Sequence, residues 1–134
     1  MTDIYKEIFN VLNNNWSASV DKPLIGIVTD YRWLDVANKE YVLIGNVIQD
    51  YSFLGLGAKD YRNDVQISLL IKTGKSRERG IEILEEVLRI LKTKEYWYPF
   101  INVLVGNISD ISSAERKIYS FTIIVRATVL ETVQ

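Results

Sequence analysis

"DVQISLLIKTGKSRERGIEILEEVLRIL", Asp64 to Leu91, decides how this chain folds, because two periodicities meet in it. Up to Lys72 it alternates. Val65, Ile67, Leu69 and Ile71 share one face, and Gln66, Ser68, Leu70 and Lys72 the other, the period of a strand. From Ser76 to Lys92 the apolar residues return at helical spacing. Ile81, Leu84, Leu88 and Leu91 form the expected core stripe, widened by Ile83, Val87 and Ile90. Glu78, Glu82, Glu85, Glu86 and Arg89 supply the expected solvated side. Thr73-Gly74-Lys75-Ser76 is the turn between them, with Gly74 expected to take the awkward dihedral and Ser76 to cap the helix.

Gly-Lys-Ser at a strand-to-helix turn is also the tail of a phosphate-binding loop. The full loop needs a first glycine five residues before the second, so that backbone N–H groups wrap the phosphates. That position is Leu69, inside the alternating strand. The turn is therefore too short to wrap a triphosphate, and a cap is the better reading. Helix starts do attract negative charge, so a weaker anion site there stays physically open.

Working outward, "TDIYKEIFNVLNNN" predicts an N-terminal helix. Thr2 is a candidate cap, Asp3 favours the positive end of the dipole, and Ile4, Ile8, Val11 and Leu12 form one buried face. Asn13 to Asn15 end it. "PLIGIVTD" from Pro23 and "YVLIGNVIQ" from Tyr41 read as strands, with a loop or a turn of helix between them. "DYSFLGLGAKDYRND", residues 50–64, reads as a long loop or an extended hairpin arm. Beyond the main helix, "KTKEYWYPF" turns into the strand "INVLVGNIS". The last strand is "KIYSFTIIVRATV". Its residues Tyr119, Phe121, Ile123, Val125, Ala127 and Val129 oppose Ser120, Thr122, Ile124, Arg126 and Thr128. The order α-β-β-β-α-β-β predicts one α+β domain over residues 1–134. It has a mainly antiparallel sheet of five strands and two helices on one face.

The 134 residues suffice for one domain with a real core but not comfortably for two. Sixteen Lys and Arg stand against seventeen Asp and Glu, so the chain lacks the basic excess of a stand-alone nucleic-acid binder. The apolar runs are strand-sized, and charges interrupt the N-terminus where a signal peptide needs an apolar segment. Cysteine and histidine are both absent. That excludes disulfides, His-dependent or Cys nucleophilic catalysis, and the usual His/Cys zinc sites.

The remaining candidate chemistry is thin. Lys75 beside Ser76 is a poor Ser/Lys dyad, because adjacent residues at a helix start point apart. Glu78, Glu82, Glu85 and Glu86 include i, i+4 pairs, but basic neighbours Arg89, Lys92 and Lys94 mark a solvated face. No catalytic residue, cofactor or metal site is expected. "YSFLGL" (51–56) and "YWYPF" (96–100) place aromatics where loops or strand edges belong. They either fold back over the core or form a protein interface, where Tyr and Trp bury much area at little entropic cost.

Taken together, the order of elements resembles the tail terminator and tail completion proteins of tailed viruses of bacteria or archaea and of related proviruses. The features that carry it are the N-terminal amphipathic helix, the "YVLIG" strand, and the variable loop leading through Asp64–Leu91. Two closing strands across the turn "DISSAERK" complete the pattern. Many of these proteins carry a proline just before the "YVLIG" strand, where this chain has Glu40. The resemblance implies a non-catalytic virion protein that forms a homo-oligomeric ring, commonly six-fold. Such a ring caps the tail tube and joins it to the neck or head-completion protein, with viral DNA passing through. By position, the expected contact residues are Tyr51, Phe53, Leu54, Leu56, Tyr61 and Arg62, then Tyr96, Trp97 and Tyr98. The competing expectation is a small ligand-binding or regulatory α+β module that dimerises through its sheet.

Overall fold

The computed structural model describes residues 3–53 and 60–132. Helix α1 (Ile4–Asn14) is capped by Asp3, whose carboxylate accepts the Lys6 N–H at 3.3 Å; Thr2 lies outside the described residues. Ile4, Ile8, Val11 and Leu12 are buried. The helix ends at the asparagines, where the Asn15 side chain donates to the Val11 carbonyl at 2.8 Å, satisfying one orphan acceptor. A short strand β1 (Leu24–Ile27) leads through a 3₁₀ turn (Val28–Asp30) to a single helical turn, α2 (Trp33–Val36). Strands β2 (Tyr41–Phe53) and β3 (Asp60–Thr73) follow, then α3 (Arg77–Lys92). A 3₁₀ turn (Lys94–Trp97) and the cis peptide Tyr98–Pro99 lead into β4 (Phe100–Asp110), and β5 (Tyr119–Thr132) closes the chain.

The five strands form one sheet in the order β1-β2-β3-β5-β4. Every pair is antiparallel except β1 and β2, which run parallel. The α+β class, the five strands and the two long helices agree with the expected architecture, and α2 is the turn of helix, one of the two expectations for the stretch between β1 and β2. Residues 50–53 and 60–64 belong to paired strands, as the hairpin-arm alternative expects, and 54–59 lie outside the described residues. β2 continues to Phe53, β3 starts at Asp60, and the two pair as far as Phe53 opposite Tyr61. At about 3.3 Å per residue, strands this long reach roughly 45 Å. A register shift between Gly45 and Ile48 bends β2, with Asn46 at φ 47, a left-handed conformation that asparagine tolerates.

α1 and α3 pack side by side on one face of the sheet. The odd-numbered residues of β3 and β5, from Val65 to Ile71 and from Phe121 to Val129, meet Ile4, Ile8, Leu12, Ile83, Val87 and Ile90 there. The buried face of α3 is turned from its expected position. Ile83, Val87, Ile90 and Leu91 are buried, while Ile81, Leu84 and Leu88 are only partly so. Glu86, expected on the wet side, is buried because the Ser17 N–H and the Arg89 guanidinium satisfy its carboxylate.

The Thr73–Ser76 turn is a cap. Ser76 Oγ accepts the Arg79 N–H at 3.0 Å, whereas Gly74 lies outside the left-handed region, contrary to the expectation for it. Arg79 anchors the start of α3 to the strand entry. It makes a two-pronged pair with Glu40, Nε to Oε2 at 3.0 Å and Nη2 to Oε1 at 2.6 Å, and further bonds to Glu82 and the Asp21 carbonyl. Thr73 Oγ1 donates to the same Glu40 carboxylate at 2.7 Å. Both side chains are nearly covered, at 10% and 13% exposure, so removing one partner strands a charge. Arg79→Met is expected to cost about 3 kcal/mol in chemical denaturation. Adding Glu40→Met in the same chain is expected to recover part of that loss, since no unpaired charge is then left behind.

Burial alone would raise the Glu40 pKa, but Arg79, Thr73 and Lys75 outweigh it and hold the carboxyl below its ordinary 4.5. Arg89 lowers Glu86 in the same way, against burial and with help from the Ser17 N–H. Both groups therefore bind protons less readily folded than unfolded. Their stabilisation is complete above pH 4.5 and is lost as pH falls below that value through the depressed folded pKa values. The denaturation midpoint should fall as buffers go below pH 4.5, and Glu40→Gln should flatten the descent. A midpoint indifferent to acid would contradict this.

Candidate interaction surface

The face of the sheet opposite α1 and α3 is only partly covered. Near β1 the 28–39 segment lies over it: Tyr31 packs where a Cβ on Gly26 would sit, and Val28 sits beside Gly45. These two glycines admit the close approach, and Leu43 and Val36 are buried beneath it. Further along, toward the β2–β3 arm, nothing among the described residues covers the face. Ile48, Asp50, Arg62, Asp64, Leu104 and Arg126 line an open groove of ≈ 520 Å³.

The uncovered face is apolar as well as charged. Leu104 is 64% exposed, Ile48 58% and Leu130 55%, with Ile101 beside them. Register places them together: Leu130 pairs with Arg62, Ile101 with Thr128, Leu104 with Arg126 and Ile48 with Gln66. β4 is also the outer strand, so its backbone edge is free among the described residues. On its other side Ile108 is exposed, as is Ile111 just past its end. Register shifts after Ile101 and after Val105 interrupt this edge, and Asn102 takes φ 53 within the first. Bulges of this kind discourage a continuous backbone ladder with a neighbour and leave side chains as the contact. At the opposite edge β1 covers only Tyr41–Ile44 and the Tyr5 hydroxyl accepts the Val47 N–H at 3.2 Å, so β2 from Ile48 onward is a second free edge among the described residues.

Of the charged groups in the groove, Arg62 and Asp64 are matched to each other. Asp64 accepts the Thr128 hydroxyl at 2.8 Å and the Arg62 Nε at 2.9 and 3.1 Å. Thr128 and then Arg62 hold its carboxyl below the usual range. Glu40, Asp64, Glu86 and Asp110 are all displaced downward, away from the raised value a general acid needs at neutral pH. Among the described residues no group of three or more carboxylates is placed to hold a metal ion, and no helix is long and apolar enough to cross a membrane.

The contact residues expected from sequence divide. The register row Tyr51–Asn63–Val129–Phe100 brings both aromatic segments to one end of the sheet. Tyr51 and Tyr98 are exposed there, as is Arg62 on the groove side. The Tyr51 hydroxyl donates to Gln49 at 2.7 Å, and its ring lies 5.3 Å from Tyr61. Two residues are not on the surface. Tyr61 is 4% exposed, and Trp97 is 2% exposed with its indole N–H donating to the Ile90 carbonyl at 2.8 Å. Tyr96 packs partly against the core. Leu54, Leu56 and the Phe53 side chain lie outside the described residues.

Sequence reasoning missed Ile48, Ile101, Leu104, Ile108, Ile111 and Leu130. The available signal was "INVLVGNISDI", which carries apolar residues on both faces although an outer strand buries only one. No protein-family model matches the chain, and no curated protein matches it.

Proposed function

We propose that this protein is a structural subunit of a virion, assembling into a ring that caps a tail tube and joins it to the neck. The observation that carries the reading is the row of exposed apolar side chains along β4 and the uncovered sheet face. Isolated exposed apolar residues are ordinary, but a contiguous set beside a free strand edge is what an assembly surface needs. Two free edges on opposite sides of one sheet favour a head-to-tail contact, which closes into a ring if the rotation allows. The order of elements, with its long β2–β3 arm, is the one expected for tail terminators. Carboxylates displaced toward low pKa, with no histidine or cysteine in the chain, favour a non-catalytic role.

In this reading the β4 side of one subunit meets the β2 side of the next, and the arm with Tyr51 and Arg62 reaches toward the tube or the neck. The same β4 surface also suits the competing reading, a two-fold dimer in which it pairs with its own copy. Negative-stain images of the purified protein separate the two. Ring-shaped particles with a central hole support the proposal, and compact two-lobed particles support the dimer.

A further inference from the structure

At the covered end of the sheet, away from the groove and the free edges, a second concavity of ≈ 280 Å³ opens. Its wall is made by Asn38, Lys39, Lys72, Gly74, Arg116 and Lys117, with four cations and, among the described residues, no carboxylate. In a chain of net charge -1 such a grouping is not a by-product of composition, because gathering four like charges costs energy unless an anion joins them.

Lys72 is the decisive residue. It is 8% exposed, yet it makes no ion pair among the described residues. One N–H reaches the Ala37 carbonyl, and the ammonium lies 5.4 Å from the Tyr41 ring centroid and 6.0 Å from that of Trp33. An ammonium has three donors, so two remain for a ligand. A nearly buried lysine normally has a carboxylate partner, and here that partner is missing. The turn holding Lys117 is fixed by the Ser113–Ile118 bridge and by the Lys117 N–H to Ala114 carbonyl bond. Lys117 takes φ 52, a conformation a lysine rarely adopts.

We propose that this pocket binds a single phosphate-type oxyanion, either free or as one phosphate group of a larger molecule. Its volume lies at or below the small end of ligand pockets, which suits one anionic group better than a whole nucleotide. The site is not the helix start that Gly-Lys-Ser suggests. Ser76 there caps α3 and Lys75 leans on Glu40 at 3.9 Å, while Lys72 and Gly74 serve the pocket next to them. The site stands apart from the ring reading and holds whether or not that reading survives.

The test is calorimetric titration of the full chain with inorganic phosphate, against chloride at matched ionic strength. Lys39→Gln with Lys117→Gln removes two exposed cations and relieves their repulsion, so its melting temperature without phosphate should match or exceed that of wild type. Its phosphate affinity should fall by about tenfold or more, since hydrogen bonds to charged groups are worth that much. Lys72→Met should abolish binding, and the double variant keeps the test valid if Lys72→Met fails to fold. A short single-stranded oligonucleotide that displaces phosphate identifies a backbone phosphate as the source; failure to displace it excludes a nucleic-acid backbone and leaves free phosphate or a small phosphate ester. Phosphate acting no differently from chloride would overturn the proposal, as would a double variant that binds phosphate like wild type.

Discussion

Replacing Trp97 with alanine is expected to destabilise the protein by about 4 kcal/mol, the usual cost of deleting a buried indole. Two terms add. The side chain is 2% exposed and stacks edge-on against Phe100 at 6.1 Å between centroids, so its loss leaves a cavity beneath β4. It also removes one of the two donors on the Ile90 carbonyl in the last turn of α3, the other being the Thr93 N–H at 3.2 Å. Trp97→Phe should fall between, restoring much of the packing but not the hydrogen bond. Urea denaturation of the three proteins measures this. A loss below about 1 kcal/mol for the alanine variant would mean that the indole is a surface residue.

Trp97 also marks where the sequence stops being readable. Its segment looked equally like an interface and like a lid over the core, because aromatic residues in a turn suit both. Only the position of the α3 carbonyl ends decides, and that is a tertiary fact. Tyr61 was misjudged for the same reason: it follows a glycine-containing stretch, yet it belongs to the inward face of β3. The strand–turn–helix unit from Asp64 to Leu91 was legible because each half carries its own period and Ser76 stands at the joint. β5 was legible through its alternation.

Sheet order and the parallel β1–β2 pair were not legible, since pairing joins residues far apart in sequence. The turned face of α3 was hidden by Glu86. A glutamate reads as solvated until the Ser17 N–H and Arg89 are known to meet it. In the sequence Glu40 stands out only by occupying the place where many tail terminators have a proline. Its pairing with Arg79, 39 positions on, gives it a structural task that no local signal announces.

Leu104→Glu is expected to abolish self-assembly while leaving the fold intact. Leu104 is 64% exposed on the outer strand, so a charge there costs the isolated subunit at most about 0.5 kcal/mol. In an assembled ring the same charge would be trapped among Ile101, Ile48 and Leu130 or their counterparts on a neighbour. Burying an unpaired carboxylate costs several kcal/mol, so each contact should weaken by more than about a hundredfold. Circular dichroism and urea denaturation should match wild type, while particles disappear from negative stain. Ile108→Glu tests the other side of the same strand and should act in the same direction. Both residues tolerating a charge with assembly intact would move the interface away from β4.

The central claim, that this chain assembles into a ring through its sheet edges, is tested most directly by mass. Light scattering coupled to size-exclusion chromatography on the concentrated wild-type protein should give a discrete species of about six times the 15.5 kDa chain, with Leu104→Glu at the mass of one chain. A wild-type protein that stays at one chain mass at the highest attainable concentration, or stops at two, would contradict it.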